Sequence, residues 1–471
     1  MRAIVFGGIL GGVLGGVALM AAPAAAVEGS DPITGFTLDN GLEVVVVEDP
    51  RAPAVVHMLW YRAGAADEPP GISGIAHFLE HLMFKGTDTR EPGEFSAIVE
   101  SLGGRDNAFT SWDFTGYFQR VAADYLGLMM ELEADRMVNL AFSEAEWLPE
   151  RDVILEERGQ VVESRPGSLF NEQMRATLFQ NHPYAVPIIG WRHEMEGLTD
   201  EHAMAFHAAH YAPNNAILIV AGAVTAEEVR ALAEEHYGPI PANPDIAERV
   251  RPQEPPHLAE RRLEMSDPRV AQPYVLRQIL APSRQPGDQA EAAALTVLAE
   301  LLGGSQATSF LARELVLADD AVALSASAFY MPLAFDDTTF GLVVVPAEGV
   351  SLREAEDALD AALEAFLEQG IDAGQLARVQ TRIRADEIFA RDSAQGQARR
   401  IGMGLTSGLT LEDVRGWSDA LMAVEAEDVM AAAEAILTDR RNAVTGWLTG
   451  PDDRAVPGAG GVELPMMEVT Q

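Results

Sequence analysis

The 471-residue chain has no cysteine and only one lysine, and beyond Met20 it has no apolar run long enough to cross a bilayer. Without cysteine there is no disulfide framework, so packed cores must supply the stability. A lipid anchor on an N-terminal cysteine is excluded as well. Basic residues are also scarce: 33 Lys and Arg face 72 Asp and Glu, for a formal net charge of −39. That balance repels nucleic acid and anionic membrane surfaces. It would draw basic peptides if the acids lined a cleft. Solubility, or a general preference that leaves Lys85 alone among arginines, is the plainer account.

The chain opens with Arg2, an apolar and Gly-rich run from Ala3 to Met20, and then small residues around Pro23. Ala24 and Ala26 form an A-x-A site, which predicts a secretory signal peptide over residues 1–26, cleaved before Val27. The mature protein is then expected in the periplasm or secreted, without stable membrane insertion. The competing expectation is an uncleaved membrane tether, because Gly8, Gly12 and Gly16 repeat at helix-packing spacing.

Chemistry concentrates in His77-Phe78-Leu79-Glu80-His81. On a helix, His77 and His81 lie one turn apart on one face, where both imidazoles can reach one ion, and Glu80 projects beside it. Two neutral nitrogen ligands and a base that can take a proton from bound water are what a hydrolytic zinc site requires. H-x-x-E-H is the inverted form of the common metalloprotease motif. An amphipathic helix whose polar stripe happens to read His-Glu-His is the competing explanation, and a third ligand decides between them. The segment Glu150-Arg151-Asp152-Val153-Ile154-Leu155-Glu156-Glu157 can supply one, since Glu150 and Glu157 share a helical face.

Around this motif the pattern is α+β. Residues 35–47 predict two strands about the Asn40-Gly41 turn, and Val55 to Tyr61 a third. A helix follows over Pro92 to Leu102, a hairpin over Asn107 to Val121, helices through Val162, a buried strand over Ala216 to Gly222 and a helix over Thr225 to Tyr237. The expected organisation is one domain over 31–240, a linker over 241–257, a second domain over 258–450 and a mobile tail over 451–471. Six prolines between Pro239 and Pro256 mark the linker. In the second domain, strands are expected near Val270 to Ile279 and Gly341 to Val345, with helices over Asp288 to Leu302, Leu352 to Gln369 and Asp372 to Arg391. Both domains close on similar phrases, 214–222 and 441–450, which points to duplication of one fold.

The run Gly74 to Thr87 resembles the signature of the pitrilysin/insulinase family of zinc peptidases, which includes the catalytic subunit of the mitochondrial processing peptidase. The resemblance implies an α+β fold of two homologous domains, each of mixed and antiparallel sheet packed with helices, facing each other as a clam-like half-chamber. It implies Zn²⁺ on His77, His81 and Glu157, with Glu80 as catalytic base. Glu157 stands at the family's spacing after His81, and Glu150 matches an acidic residue behind the site that holds a ligand His. Gly103 to Thr110 resembles the edge strand that pairs with extended substrates, making Asn107, Ala108 and Phe109 candidate substrate-binding residues.

One departure lies in the second half. Many active relatives carry an Arg and a Tyr that grip the substrate near the scissile bond. Here Arg313 is followed at the family's spacing by Asp320, and Tyr330 lies too far along. The expected activity is zinc-dependent endopeptidase action on extended peptides, in a dimer. The partner is a homologous zinc-less subunit supplying the Arg/Tyr pair (a heterodimer) or a second copy (a homodimer). A non-catalytic structural subunit of the same family is the alternative.

Overall fold

The computed structural model describes residues 32–390 and 392–451; the expected signal segment, and the expected tail beyond residue 451, lie outside the described residues. Two sheets organise the chain. The first comprises β1 (Ile33–Thr37), β2 (Glu43–Glu48), β3 (Ala54–Tyr61), β4 (Arg105–Thr110), β5 (Thr115–Ala122) and β6 (Ala216–Gly222), in the order β1-β2-β6-β3-β5-β4. The second comprises β7 (Arg261–Ser266), β8 (Tyr274–Ala281), β9 (Ala323–Tyr330), β10 (Thr338–Pro346) and β11 (Ala443–Thr449), in the order β7-β11-β8-β10-β9.

Without β1 the two sheets have one topology. β2 and β6 pair in parallel, as do β7 and β11, and every other neighbour in both sheets is antiparallel. The two similar closing phrases fall on β6 and β11, which occupy equivalent places. This repeat fits the expected α+β fold of two homologous domains. Two strands escape the sequence pattern. β7 carries Arg, Glu and Ser among its six residues, and β9 is mostly Ala and Ser, which have little β preference of their own. Both lie at sheet edges, where half the surface need not be apolar.

The strongest strands are apolar on both faces. Val44 and Val46 of β2 join one core with the motif helix, while Val45 and Val47 join another on the opposite face. That second face is covered from the other half of the chain: Ala398, Ile401 and Leu405 of the helix Ala394–Thr406 pack on Met58, Trp60, Ile217 and Ile219. The arrangement is reciprocal. Phe170, Met174 and Leu178 of the helix Pro166–Leu178 pack on Tyr274, Leu276, Val343 and Val444 of the second sheet. Each crossing is close. A Cβ on Gly402 would lie 2.1 Å from the Trp60 indole, and one on Gly446 2.3 Å from Met174 Sδ. A fully buried Leu, Ile, Phe or Met stabilises by about 1.5–3 kcal/mol, so separating the halves would cost many such contacts.

The segment 241–257 has no helix or strand, and its Arg251 is buried. That guanidinium gathers Asp113 (2.5 Å), Asp67 (2.9 Å) and Asp336 (3.4 Å). Asp67 precedes the motif helix, Asp113 sits in the β4–β5 turn, and Asp336 lies in the loop before β10. Tyr184 donates its hydroxyl proton to Asp113 at 2.7 Å. Among the described residues, no helix is long and apolar enough to cross a membrane.

Candidate metal centre

The motif forms the helix Ile75–Leu82, entered through Gly74 at φ 87°. A Cβ there would meet the Ile189 carbonyl oxygen at 2.6 Å, so only glycine fits both the turn and the contact. Glu68 caps the helix by accepting the N–H groups of Gly74 and Ala76, both at 2.9 Å. A carboxylate at this end also complements the helix dipole. Burial pushes the Glu68 carboxyl well above its ordinary range, against the pull of those two N–H groups.

His77 and His81 lie one turn apart on this helix and meet edge to face, with ring centroids 4.7 Å apart. Glu157 reaches them from the helix Glu144–Arg158, which ends one residue later in a π-turn over Gly159–Glu163. Glu157 Oε2 lies 3.6 Å from His77 Nε2 and 3.5 Å from His81 Nε2. Those gaps are too long for hydrogen bonds and close to the edge of a tetrahedron. Zinc bonds of ~2.0–2.1 Å place two ligand atoms roughly 3.3 Å apart. The three residues are the only metal-competent cluster of His, Asp and Glu among the described residues. Two imidazole nitrogens and one carboxylate fit zinc and leave a fourth position for water or substrate.

The surroundings suit ligands. Burial, and then His81, hold His77 down to about 3, so its ring is neutral and able to coordinate. His81 is pulled down by burial, but Glu150, Glu157 and Glu80 outweigh that and lift it to about 9. The centre therefore attracts positive charge, whether proton or metal. Glu150 Oε1 lies 2.8 Å from His81 Nδ1, which fixes the ring. His77 Nδ1 is buried without such a partner among the described residues. Arg158, next to Glu157, binds Glu172 at 2.8 Å and the Gly190 carbonyl at 2.8 Å, tying the ligand helix to the helix that crosses to the second sheet.

Glu80 is buried beside the ligands, and burial pushes it up to about 7 against the hydrogen bond that Thr110 donates at 2.5 Å. A cation on the three ligands would favour the ionised form. Thr110, the last residue of β4, was not singled out by the sequence pattern. Its only signal is its place directly after Asn107, Ala108 and Phe109. Those three sit on β4, the edge of the first sheet. Asn107 is exposed and its Oδ1 accepts the Ala108 N–H at 2.9 Å. The side chains of Ala108 and Phe109 are buried, and Phe109 packs on Trp60. Any part these two take in holding a peptide must come from their main chain.

In the second half, the helix Ala290–Gly303 follows β8 as the motif helix follows β3, and it contains no histidine. Tyr330 donates its hydroxyl proton to the Pro282 carbonyl, and Arg313 contacts Gln375, both within their own half.

Two halves of one topology, one with a metal-competent cluster and a buried carboxylate beside it, define the class of molecule. Residues 43–191 match the family described as "Insulinase (Peptidase family M16)", and residues 197–383 match "Peptidase M16 inactive domain". The chain belongs to the insulinase family of peptidases. It is 31% identical over 390 residues to "Zinc protease PqqE" of Helicobacter pylori, covering 81% of this chain and 84% of that one. A crystal structure of a protease from H. pylori superposes with a TM-score of 0.81 at 28% identity, over 88% of this chain and 99% of that one. The periplasmic protease PqqL of Escherichia coli shares the fold at 22% identity (TM-score 0.76), but 90% of this chain covers only 48% of it.

If Glu150 orients His81, Glu150→Gln should keep the fold and weaken zinc affinity by about 10–100-fold. Competition with a chromogenic chelator measures this, and wild-type affinity in the variant would exclude the role.

Proposed function

We propose that this chain is a zinc-dependent endopeptidase that cleaves extended peptides. The observation that carries the reading is the convergence of His77 Nε2, His81 Nε2 and Glu157 Oε2, with Glu80 buried next to them. Zinc, when bound, supplies a Lewis acid that acidifies water and polarises a peptide carbonyl. Glu80 takes the proton from the attacking water and returns it to the leaving amine. Thr110 fixes one oxygen of Glu80, and because Thr110 ends β4, the base is registered against the strand that would hold the peptide. Main-chain pairing along this edge binds substrate with little demand on its sequence.

The missing Arg/Tyr pair supports a second component. We propose that the chain works beside a homologous zinc-less subunit that supplies the pair, or beside a second copy. The relative PqqL supports pairing, because this chain spans about half of it. The A-x-A site at Ala24 and Ala26 supports export to the periplasm. The retained set His77, Glu80, His81 and Glu157 argues against a purely structural subunit.

Cleavage of an unstructured peptide should vanish on chelation, return with zinc and rise when an Arg/Tyr-bearing homologue is added. Native mass measurement identifies the assembly. Full activity from a lone monomer would remove the need for a partner, and cleavage that persists after zinc is stripped would end the zinc reading.

A further inference from the structure

Among 33 basic residues Lys85 is the only lysine, and it lies four positions after His81. The motif helix does not let the chain go at Leu82. The N–H of Met83 still bonds Leu79, and Phe84 and Lys85 turn back on His81 and Leu82. Lys85 is thereby brought over the same turn as His81. Its ammonium contacts Oε2 of Glu150, while Oε1 of that carboxylate holds His81 Nδ1 at 2.8 Å. Glu150 is thus clamped from both ends, by a metal-ligand histidine and by a cation. The Lys85 side chain remains 26% exposed and that of Glu150 13%. Glu157 faces the other ring nitrogen of His81, so Lys85 supplies positive charge to a ring flanked by carboxylates on both nitrogens.

We propose that Lys85 is a positioning residue of the metal centre, holding Glu150 so that Glu150 can hold His81. The inference rests on the zinc reading above. A ligating imidazole is oriented by the acceptor on its other nitrogen, and a carboxylate orients it only while it keeps its own place. Lys85 holds that place from the second oxygen of Glu150. An ordinary exposed ion pair would contribute almost nothing. The two possibilities differ in what they do to zinc.

The test uses the full chain and reads zinc affinity by chelator competition. Lys85→Met should bind zinc about 10-fold more weakly than wild type. Lys85→Arg keeps the charge and should lie nearer wild type than Lys85→Met. Because Lys85 acts through Glu150, Lys85→Met combined with Glu150→Gln should be no weaker than Glu150→Gln alone. Losses that multiply in the double variant, or unchanged affinity in Lys85→Met, overturn the inference. The lone lysine allows a second route that avoids refolding a variant. Acetic anhydride on the folded wild type can acylate only one ε-amine, and Lys85→Arg treated alike corrects for the α-amine. Acetylation should weaken zinc binding in wild type and not in Lys85→Arg; equal behaviour of the two counts against Lys85. A wild type that does not bind zinc would overturn the functional reading itself, whereas a wild type that binds zinc indifferently to Lys85 overturns this inference alone.

Discussion

Glu80→Gln is expected to keep zinc bound and to slow peptide hydrolysis by ~10²–10⁴-fold. The amide matches the carboxylate in size, and Thr110 can still donate to its oxygen, so the buried pocket stays filled. What it cannot do is accept a proton at neutral pH. The candidate ligands His77, His81 and Glu157 are untouched, so metal content should equal that of wild type. Metal analysis beside steady-state kinetics separates the outcomes. A variant that cleaves peptides at the wild-type rate removes Glu80 from the mechanism. One that loses zinc shows Glu80 to be part of the metal's hold.

The second large effect is on stability. Arg251→Met should destabilise the fold by about 3–5 kcal/mol, because it leaves carboxylates buried without their cation. Arg251 is the common partner of Asp67, Asp113 and Asp336, whose side chains are 10%, 6% and 12% exposed. These acids come from the approach to the motif helix, the turn that ends β4 and the loop before β10 of the second sheet. Their repulsion would therefore act on the half that carries the candidate metal centre and on its junction with the other half together. Arg249 stays nearby, with Nε 3.4 Å from Asp67, but it also donates to the carbonyls of Asp113 and Thr406. Urea unfolding followed by circular dichroism measures the change. A loss below about 1 kcal/mol would mean that Arg249 and water compensate, and that Arg251 contributes as a surface pair would.

The sequence discloses what depends on short spacing. His77 and His81 are one turn apart in any helix, and Glu157 sits in a phrase whose wording and distance recur together. β6 is legible because seven apolar and small residues in a row suit a strand buried on both faces. Features that depend on partners far along the chain are not legible. Thr110 matters because its hydroxyl reaches Glu80, a contact across 30 positions that no local pattern encodes. Arg251 reads as one charge in a proline-rich stretch until three carboxylates from distant segments surround it. The helix Ala394–Thr406 has an apolar stripe, yet nothing in that stripe says that it faces Trp60.

The exchanged helices also fix an order of events during synthesis. The first sheet is complete once Gly222 has been made, but Val45, Met58, Trp60 and Ile219 have no cover until Ala398, Ile401 and Leu405 follow. For nearly two hundred residues of translation the nascent chain holds a finished sheet with one bare apolar side, the condition under which a chain aggregates or recruits a holdase. The cover of the first sheet is therefore translated last, and the half that carries His77 and His81 completes its core only when most of the polypeptide is available.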